Sequence, residues 1–92
     1  MPIAVVIERS QKSVGSSRGR FGGPDRYVSV VVGPAPWPTT RPLVASRIHA
    51  EGYELHGFGE GYSKSTGPRS ALSIARKEAA EFAARINAGG AA

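Results

Sequence analysis

Few residues in this 92-residue chain could carry out catalysis, and none of them stands in a catalytic pattern. Asp25 is the only aspartate, there are two histidines, and there is no cysteine. A serine nucleophile needs a histidine and a carboxylate in a set arrangement, and neither this triad nor a carboxylate pair is indicated. Without cysteine the chain has no disulfide, thiolate metal site or thiolate nucleophile. The sequence therefore favours a binding protein over an enzyme and predicts no cofactor.

Two histidines and two glutamates are the best candidates for metal ligands. They are His49, Glu51, Glu54 and His56, and imidazole and carboxylate groups are suitable ligands for a divalent metal. Their spacing matches no established metal site. We therefore expect ordinary polar side chains on a solvent-exposed face and no bound metal.

The excess of arginine and lysine is the clearest chemical feature, because these side chains bind phosphates and acidic protein surfaces. The chain has 12 basic and 7 acidic residues, a net charge of +5. Residues 9–26 contain five basic residues and a single acidic one, so the positive charge is concentrated there. The sequence thus indicates a nucleic acid or an acidic protein surface as the partner.

Residues 18–23 read Arg-Gly-Arg-Phe-Gly-Gly, which resembles the arginine-glycine boxes of RNA-binding tails. Guanidinium groups pair with phosphates and stack on bases, and glycine keeps the backbone adaptable. The pattern makes Arg18, Arg20 and Phe21, together with the nearby Arg26, candidates for contact with the partner. The alternative interpretation is a solvent-exposed, flexible loop with no binding role.

A glycine-rich segment, residues 57–67, leads into the last helical stretch of the sequence. The unpaired N–H groups of a helix N-terminus favour an anion at such a place. The segment is not a phosphate-binding P-loop, however, because Ser63 rather than glycine precedes Lys64 and the first glycine is wrongly spaced. Glu60 would also repel phosphate. A tight connection between a strand and a helix is the simpler interpretation.

The strand before this segment, the loop 59–64 and the alanine-rich helix after it resemble the C-terminal half of a double-stranded RNA-binding domain. The resemblance covers about a third of the chain. It implies that basic residues near the helix N-terminus contact phosphates across a groove, and these would be Lys64, Arg69, Arg76 and Lys77. The chain departs from the family pattern by lacking the N-terminal helix and by inserting residues 65–68. In architecture it is also similar to small phage-encoded inhibitors of the anti-CRISPR type.

Three apolar or alternating segments predict the strands that must position these residues. They cover residues 3–7, 27–32 and 53–58, with a long basic loop at about residues 9–26 between the first two. Residues 43–51 have two interpretations. A fourth strand would form a hairpin with residues 53–58 and is the first choice. A helix capped by Thr40 and ended by Gly52 is the alternative.

Residues 68–88 predict an amphipathic helix with Pro68 in its first turn, followed by a frayed tail at residues 89–92. At about 100° per residue, one apolar stripe contains Leu72, Ala75, Ala79, Phe82, Ala83 and Ile86. Ile74 lies among the polar positions, either as a lone exposed residue or as a contact for a second subunit. Trp37, between two prolines, is either part of the core or an exposed anchor, and the core is the first choice.

These observations together predict one α+β domain over residues 1–92. A three- or four-stranded antiparallel sheet packs on the C-terminal helix. We expect a cytoplasmic protein, since the N-terminus lacks a signal-peptide pattern and no stretch approaches the roughly 20 apolar residues of a membrane span. The first functional hypothesis is contact with nucleic-acid phosphates. The alternatives are a protein that inhibits a nucleic-acid-handling complex by docking on it, and a homodimer.

Overall fold

The structure, a computed structural model, describes residues 1–10, 25–62 and 67–89 of the chain. These ranges contain three strands and two helices in the order β1 (Ile3–Ser10), β2 (Arg26–Gly33), α1 (Ala45–Ala50), β3 (Glu54–Gly61) and α2 (Ala71–Asn87). The sheet is antiparallel in the order β1-β2-β3. The predicted α+β fold is confirmed, and the sheet in the described ranges has three strands. No helix within these ranges is long and apolar enough to cross a membrane.

Strand β2 is the centre of the sheet, and its side chains alternate between two apolar clusters. Its even-numbered valines, Val28, Val30 and Val32, face α2, whereas Val31 faces the other side. β-Branched residues suit this position because they fill both faces of a pleated strand. Both β1 and β2 extend beyond their predicted bounds, to Ser10 and from Arg26.

Two layers cover the sheet, one on each face. On the first face, β1 and β2 pack against the buried residues of α2, and this cluster contains Ala4, Val28, Val30, Val32, Leu72, Ala75, Ala79, Ala83 and Ile86. On the second face, the chain between β2 and β3 covers a smaller cluster of Ile7, Val31, Trp37 and Ile48. The prediction that the C-terminal helix covers one face is confirmed. The sequence did not reveal that the other face is covered as well.

Helix α2 confirms the predicted apolar stripe but begins later than predicted. Ser70 is its N-cap, with the side-chain Oγ accepting a hydrogen bond from the N–H of Ser73 at 3.1 Å. The cap satisfies an N–H group that has no partner within the helix, so the helix begins at Ala71 and Pro68 lies in the turn before it. Leu72, at the start of the stripe, is fully buried, and Phe82 is half-buried against Phe58.

The prediction of a strand at residues 43–51 was wrong, because this stretch contains the short helix α1. Gly52, with φ of +87°, follows the end of α1 and turns the chain toward β3, as the helical alternative required. Val44 is the N-cap and makes no side-chain cap bond, so the suggested cap at Thr40 is also wrong. Ile48 is the only buried residue of α1, and it closes the second cluster. This stretch therefore covers one face of the sheet instead of adding a fourth strand to it.

Strand β3 contains glycines that the sequence assigned to a loop. An irregularity in its pairing with β2, between Val28 and Ser29, places Gly57 and Gly59 opposite successive residues. Gly59 has φ of +146°, and a Cβ there would lie 2.9 Å from the Cβ of Ala75. Glycine is required because the strand bends at this point and α2 lies directly on the backbone. The predicted strand, residues 53–58, therefore starts one residue early and ends three residues short.

Trp37 belongs to the second cluster, with 2% of its surface exposed, so the prediction that it is a core residue is confirmed. Its ring contacts Tyr53 edge to face at a centroid distance of 5.0 Å. The Arg41 guanidinium lies over the ring, 4.3 Å from its centroid, and also pairs with both carboxylate oxygens of Glu51. These contacts fix the proline-rich segment against the sheet.

Asn87, the last residue of α2, joins the end of the helix to the edge of the sheet. Its Oδ1 accepts a hydrogen bond from the N–H of Ala4 at 2.8 Å, and its Nδ2 donates to the carbonyl of Ala4 at 3.0 Å. Both groups of Ala4 point away from β2, so the amide occupies the place that another strand would take.

Replacing Ser70 by alanine should lower the free energy of unfolding by about 1 kcal/mol, because the N–H of Ser73 loses its acceptor. Urea unfolding followed by the fluorescence of the single tryptophan measures the loss. Ser73→Ala is the matched control: it changes a serine in the same turn, whose backbone rather than side chain makes the cap bond. Equal stabilities for the two variants would contradict the assigned cap.

Replacing Asn87 by alanine should cost about 1–2 kcal/mol, since two hydrogen bonds at the sheet edge are lost. Asn87→Asp keeps the acceptor but cannot donate to the carbonyl of Ala4, so it should be at least as destabilising. Unfolding curves of both variants, with the exposed Arg85→Gln as control, check this. An Asn87→Asp variant as stable as the wild type would be inconsistent with the paired geometry.

Candidate nucleic-acid interface

Three strand ends lie side by side at one end of the sheet. In the register, Ser10 at the end of β1 pairs with Arg26 at the start of β2, and Arg26 pairs with Gly61 at the end of β3. We call this the basic end. The chain leaves it at Ser10, returns at residue 25 and leaves it again after Gly61. The segments 11–24 and 63–66, which lie outside the described residues, are thus attached to the same end.

Helix α2 also begins at the basic end. A Cβ on Gly61 would lie 3.0 Å from the Cβ of Leu72 and 3.3 Å from its nitrogen, so the first turn of α2 rests on the end of β3. Arg69 is exposed in the turn just before the helix. The helix then runs to the opposite end of the sheet, where Asn87 binds Ala4. Arg69 therefore lies at the basic end and Arg85, in the last turn of α2, lies far from it.

Glu8 brings two of the predicted basic residues together near this end. It lies on the face of β1 that points to α2, and Arg76 reaches it from the helix through two hydrogen bonds. The distances are 2.6 Å from Nε to Oε1 and 2.8 Å from Nη2 to Oε2. Arg26 adds an ion pair, with Nη1 at 3.6 Å from Oε2. We call these three residues the Glu8 cluster.

The Glu8 cluster is covered unequally. The side chain of Glu8 is 24% exposed, whereas those of Arg26 and Arg76 are 37% and 47% exposed. Glu8 is therefore the least exposed side chain of the cluster, and both arginine side chains are partly open to solvent. Two further carboxylates lie near this end: Asp25 directly precedes Arg26, and Glu60 pairs in register with Tyr27 and so belongs to the opposite face of the sheet. The cluster has one more positive than negative charge.

The ionisation of Glu8 follows from these contacts. The hydrogen bonds from Arg76 hold the pKa of Glu8 below its ordinary value, against partial burial, which alone would raise it. The charges of Arg76 and Arg26 lower the pKa further. In return, the hydrogen bonding with Glu8 raises the pKa of Arg76. Glu8 and Arg76 are thus both ionised at neutral pH.

Lys77 lies in a different environment from the Glu8 cluster. It lines a shallow groove on the outer face of α2, and the other lining residues are Pro68, Ser73, Ile74, Glu78 and Glu81. Ile74 is 47% exposed there. Arg76 and Lys77 are consecutive, but a helix turns by about 100° between neighbours, so they point to separate surfaces. Of these two helix residues, which were predicted to act together, only Arg76 therefore lies with Arg26 in the Glu8 cluster.

Four of the predicted site residues lie outside the described residues, namely Arg18, Arg20, Phe21 and Lys64. Of the four that are described, Arg26 is half-buried, and Arg69, Arg76 and Lys77 are exposed.

The histidines are placed by the two elements on either side of Gly52. His49 is exposed on α1, whereas His56 on β3 contacts the Phe82 ring at 4.9 Å and the Glu54 carboxylate at 3.2 Å. Among the described residues, no group of three or more histidine, aspartate or glutamate side chains could hold a metal ion.

Sequence reasoning missed Glu8, which organises the site. The available signal was the alternation of β1: Ala4 faces the helix, so Glu8, four residues later, faces it too if the strand continues. The predicted strand stopped at residue 7, which hid this relation.

Comparison with known proteins adds no relative to this picture. No protein family matches the chain, and neither the curated proteins nor the solved structures give a match.

Stability should depend on pH through Glu8. Because its folded-state pKa is lowered, the stabilisation from its ionisation is present above the ordinary value of 4.5 and is lost as the pH falls through the lowered pKa. The difference in unfolding free energy between wild type and Glu8→Gln should therefore be constant near neutral pH and shrink toward zero on acidification. Urea unfolding at a series of pH values measures it. In an Arg76→Gln background the same difference should be much smaller, and an unchanged difference would contradict the assigned pairing.

Proposed function

We propose that this protein is a small, non-catalytic protein that binds nucleic acid through its phosphates, with the contacts concentrated at the basic end. The observation that carries the proposal is the strand register, which sets Ser10, Arg26 and Gly61 side by side. Two segments that contain basic residues, 11–24 and 63–66, are far apart in the sequence but are thereby both attached to the basic end.

The distribution of charge favours the basic end over the rest of the surface as the place where nucleic acid binds. The described residues contain eight lysines and arginines against seven acidic residues, so the body of the protein is nearly neutral. Much of that charge is paired internally, as in Arg41 with Glu51 and Arg76 with Glu8. The four further basic residues, Lys12, Arg18, Arg20 and Lys64, are in segments 11–24 and 63–66, which have no acidic residue. The excess positive charge of the chain is therefore in the segments that are attached at the basic end.

The proposed contacts are of two kinds. Arg26, Arg69 and Arg76 supply guanidinium groups from the folded body at or near the basic end. Arg18, Arg20 and Lys64 add charge from the attached segments, and Phe21 offers a ring on which a base can stack. Phosphate contacts do not depend on base identity, so binding is independent of sequence and strongly dependent on salt. The function belongs to the cytoplasm, where nucleic acid is accessible.

The groove on the outer face of α2 favours the second hypothesis, a protein that docks on a nucleic-acid-handling complex in the manner of an anti-CRISPR protein. There an exposed apolar side chain, Ile74, lies beside Lys77 and two glutamates. Such a protein would associate with its target complex without binding nucleic acid. Self-association through Ile74 is the third hypothesis, and light scattering measures it directly.

The wild type should bind fluorescently labelled 20-base-pair RNA and DNA duplexes in an anisotropy titration at low salt. The logarithm of the affinity should fall linearly with the logarithm of the salt concentration, because bound phosphates release counterions. Replacing Arg18 and Arg20 together by glutamine should weaken binding to all sequences alike and reduce the salt slope by about two, about one for each lost phosphate contact.

Arg85→Gln is the matched control, since it removes one positive charge at the opposite end of α2. It should change the affinity much less than Arg76→Gln, which removes the same charge near the basic end. No binding at micromolar protein in low salt would exclude the proposal and leave protein docking as the hypothesis to pursue. Equal effects of the two helix variants would place the contact elsewhere than at the basic end.

A further inference from the structure

We propose that Glu8 is a positioning residue that holds Arg26 and Arg76 as a two-pronged clamp for a backbone phosphate of nucleic acid. The inference rests on the proposed function and adds to it a residue whose own charge opposes the ligand. A carboxylate in a phosphate-binding surface is unexpected on electrostatic grounds alone. Its contacts supply the reason for its presence.

Arg76 is fixed by Glu8 while most of its donors stay available. A guanidinium has five N–H donors in a rigid plane. The bonds from Nε and Nη2 to the two oxygens of Glu8 use two of them and set the orientation of that plane. The other three N–H groups, on Nη1 and Nη2, are directed away from the carboxylate. An arginine that is already oriented loses less side-chain freedom when it binds a ligand.

Arg26 is drawn to the same carboxylate from the neighbouring strand. Its Nη1 is 3.6 Å from Oε2 of Glu8, the oxygen that also accepts from Nη2 of Arg76. Two guanidinium groups that converge in this way would repel each other without a negative charge between them. Glu8 therefore allows the two positive groups to remain close together.

The exposure of the three side chains gives the clamp its direction. The side chain of Glu8 is the least exposed of the three and those of the arginines are more exposed, so a ligand from solvent is expected to meet the arginines first. The guanidinium fork fits carboxylate and phosphate oxygens with the same paired geometry. Both arginines lie within 3.6 Å of one carboxylate, so a single phosphate on their solvent side is the ligand that we assign to the pair. The ligand class is a phosphodiester backbone, which RNA and DNA share.

The test is the affinity of Glu8→Gln for 20-base-pair RNA and DNA duplexes, measured beside the wild type by anisotropy over a range of salt concentrations. Loss of a negative charge by itself predicts tighter binding and an unchanged or steeper salt slope. The positioning role predicts the opposite sign: binding about five-fold weaker, with a salt slope smaller by about one. A partly unfolded variant would bind less without a change in slope, so the slope separates positioning from simple loss of structure.

Arg76→Lys provides the second measurement, because lysine keeps the positive charge but cannot form the fork. It should weaken binding in the wild-type background and cause little further loss in the Glu8→Gln background. Unchanged or tighter binding by Glu8→Gln would overturn the positioning role and leave the proposed function standing. Absence of binding by the wild type to both duplexes would overturn both. If only one of the duplexes binds the wild type and Glu8→Gln weakens it, the inference holds for that nucleic acid.

Discussion

The side chains of β2 point alternately into two apolar clusters, and this constraint determines how the rest of the chain is used. A strand with valines on both sides must be covered twice, and the chain is short. Helix α2 covers one face with three alanines between Leu72 and Ile86, and the small alanines let it lie close to the sheet. The other face is covered by only two large side chains from outside the sheet, Trp37 and Ile48. A proline-rich segment carries Trp37, and the six-residue helix α1 carries Ile48. The first face is thus covered mainly by small side chains on a long helix, and the second by two large side chains.

The parts of the fold that the sequence revealed are those with a repeated pattern. The β-branched runs of β1 and β2 and the stripe of α2 each repeat over many residues, so several positions agree. Helix α1 has one buried residue, Ile48, and a pattern of one residue cannot distinguish a helix from a strand. Gly59 and Gly61 of β3 were assigned to a loop because glycine is rare in strands. Glycine is needed at these two positions because α2 approaches the backbone closely at Ala75 and Leu72. This contact becomes visible only when the helix is in place.

The site was less accessible to sequence reasoning than the fold, because it depends on contacts between distant residues. Glu8 and Arg76 are 68 positions apart, and nothing local to either residue indicates the other. Composition did identify the basic residues, but it could not assign them to surfaces. In the structure Arg76 joins Arg26, whereas its neighbour Lys77 lies beside Glu78 and Glu81. Electrostatic sites of this kind are defined by which charges remain unbalanced after folding, and that balance requires the register of the strands.

The bond between Asn87 and Ala4 also fixes where the ends of the described chain lie. Met1 is near Gly89, since a Cβ on that glycine would be 3.0 Å from the methionine Cε. Both ends therefore lie together at the end of the sheet opposite Ser10, Arg26 and Gly61. A fusion partner, an affinity tag or a surface attachment joined at Met1 or after Gly89 would consequently be attached at the opposite end of the sheet and would leave the basic end exposed. The same geometry would let this domain be appended to another protein without covering the surface that carries its unbalanced charge.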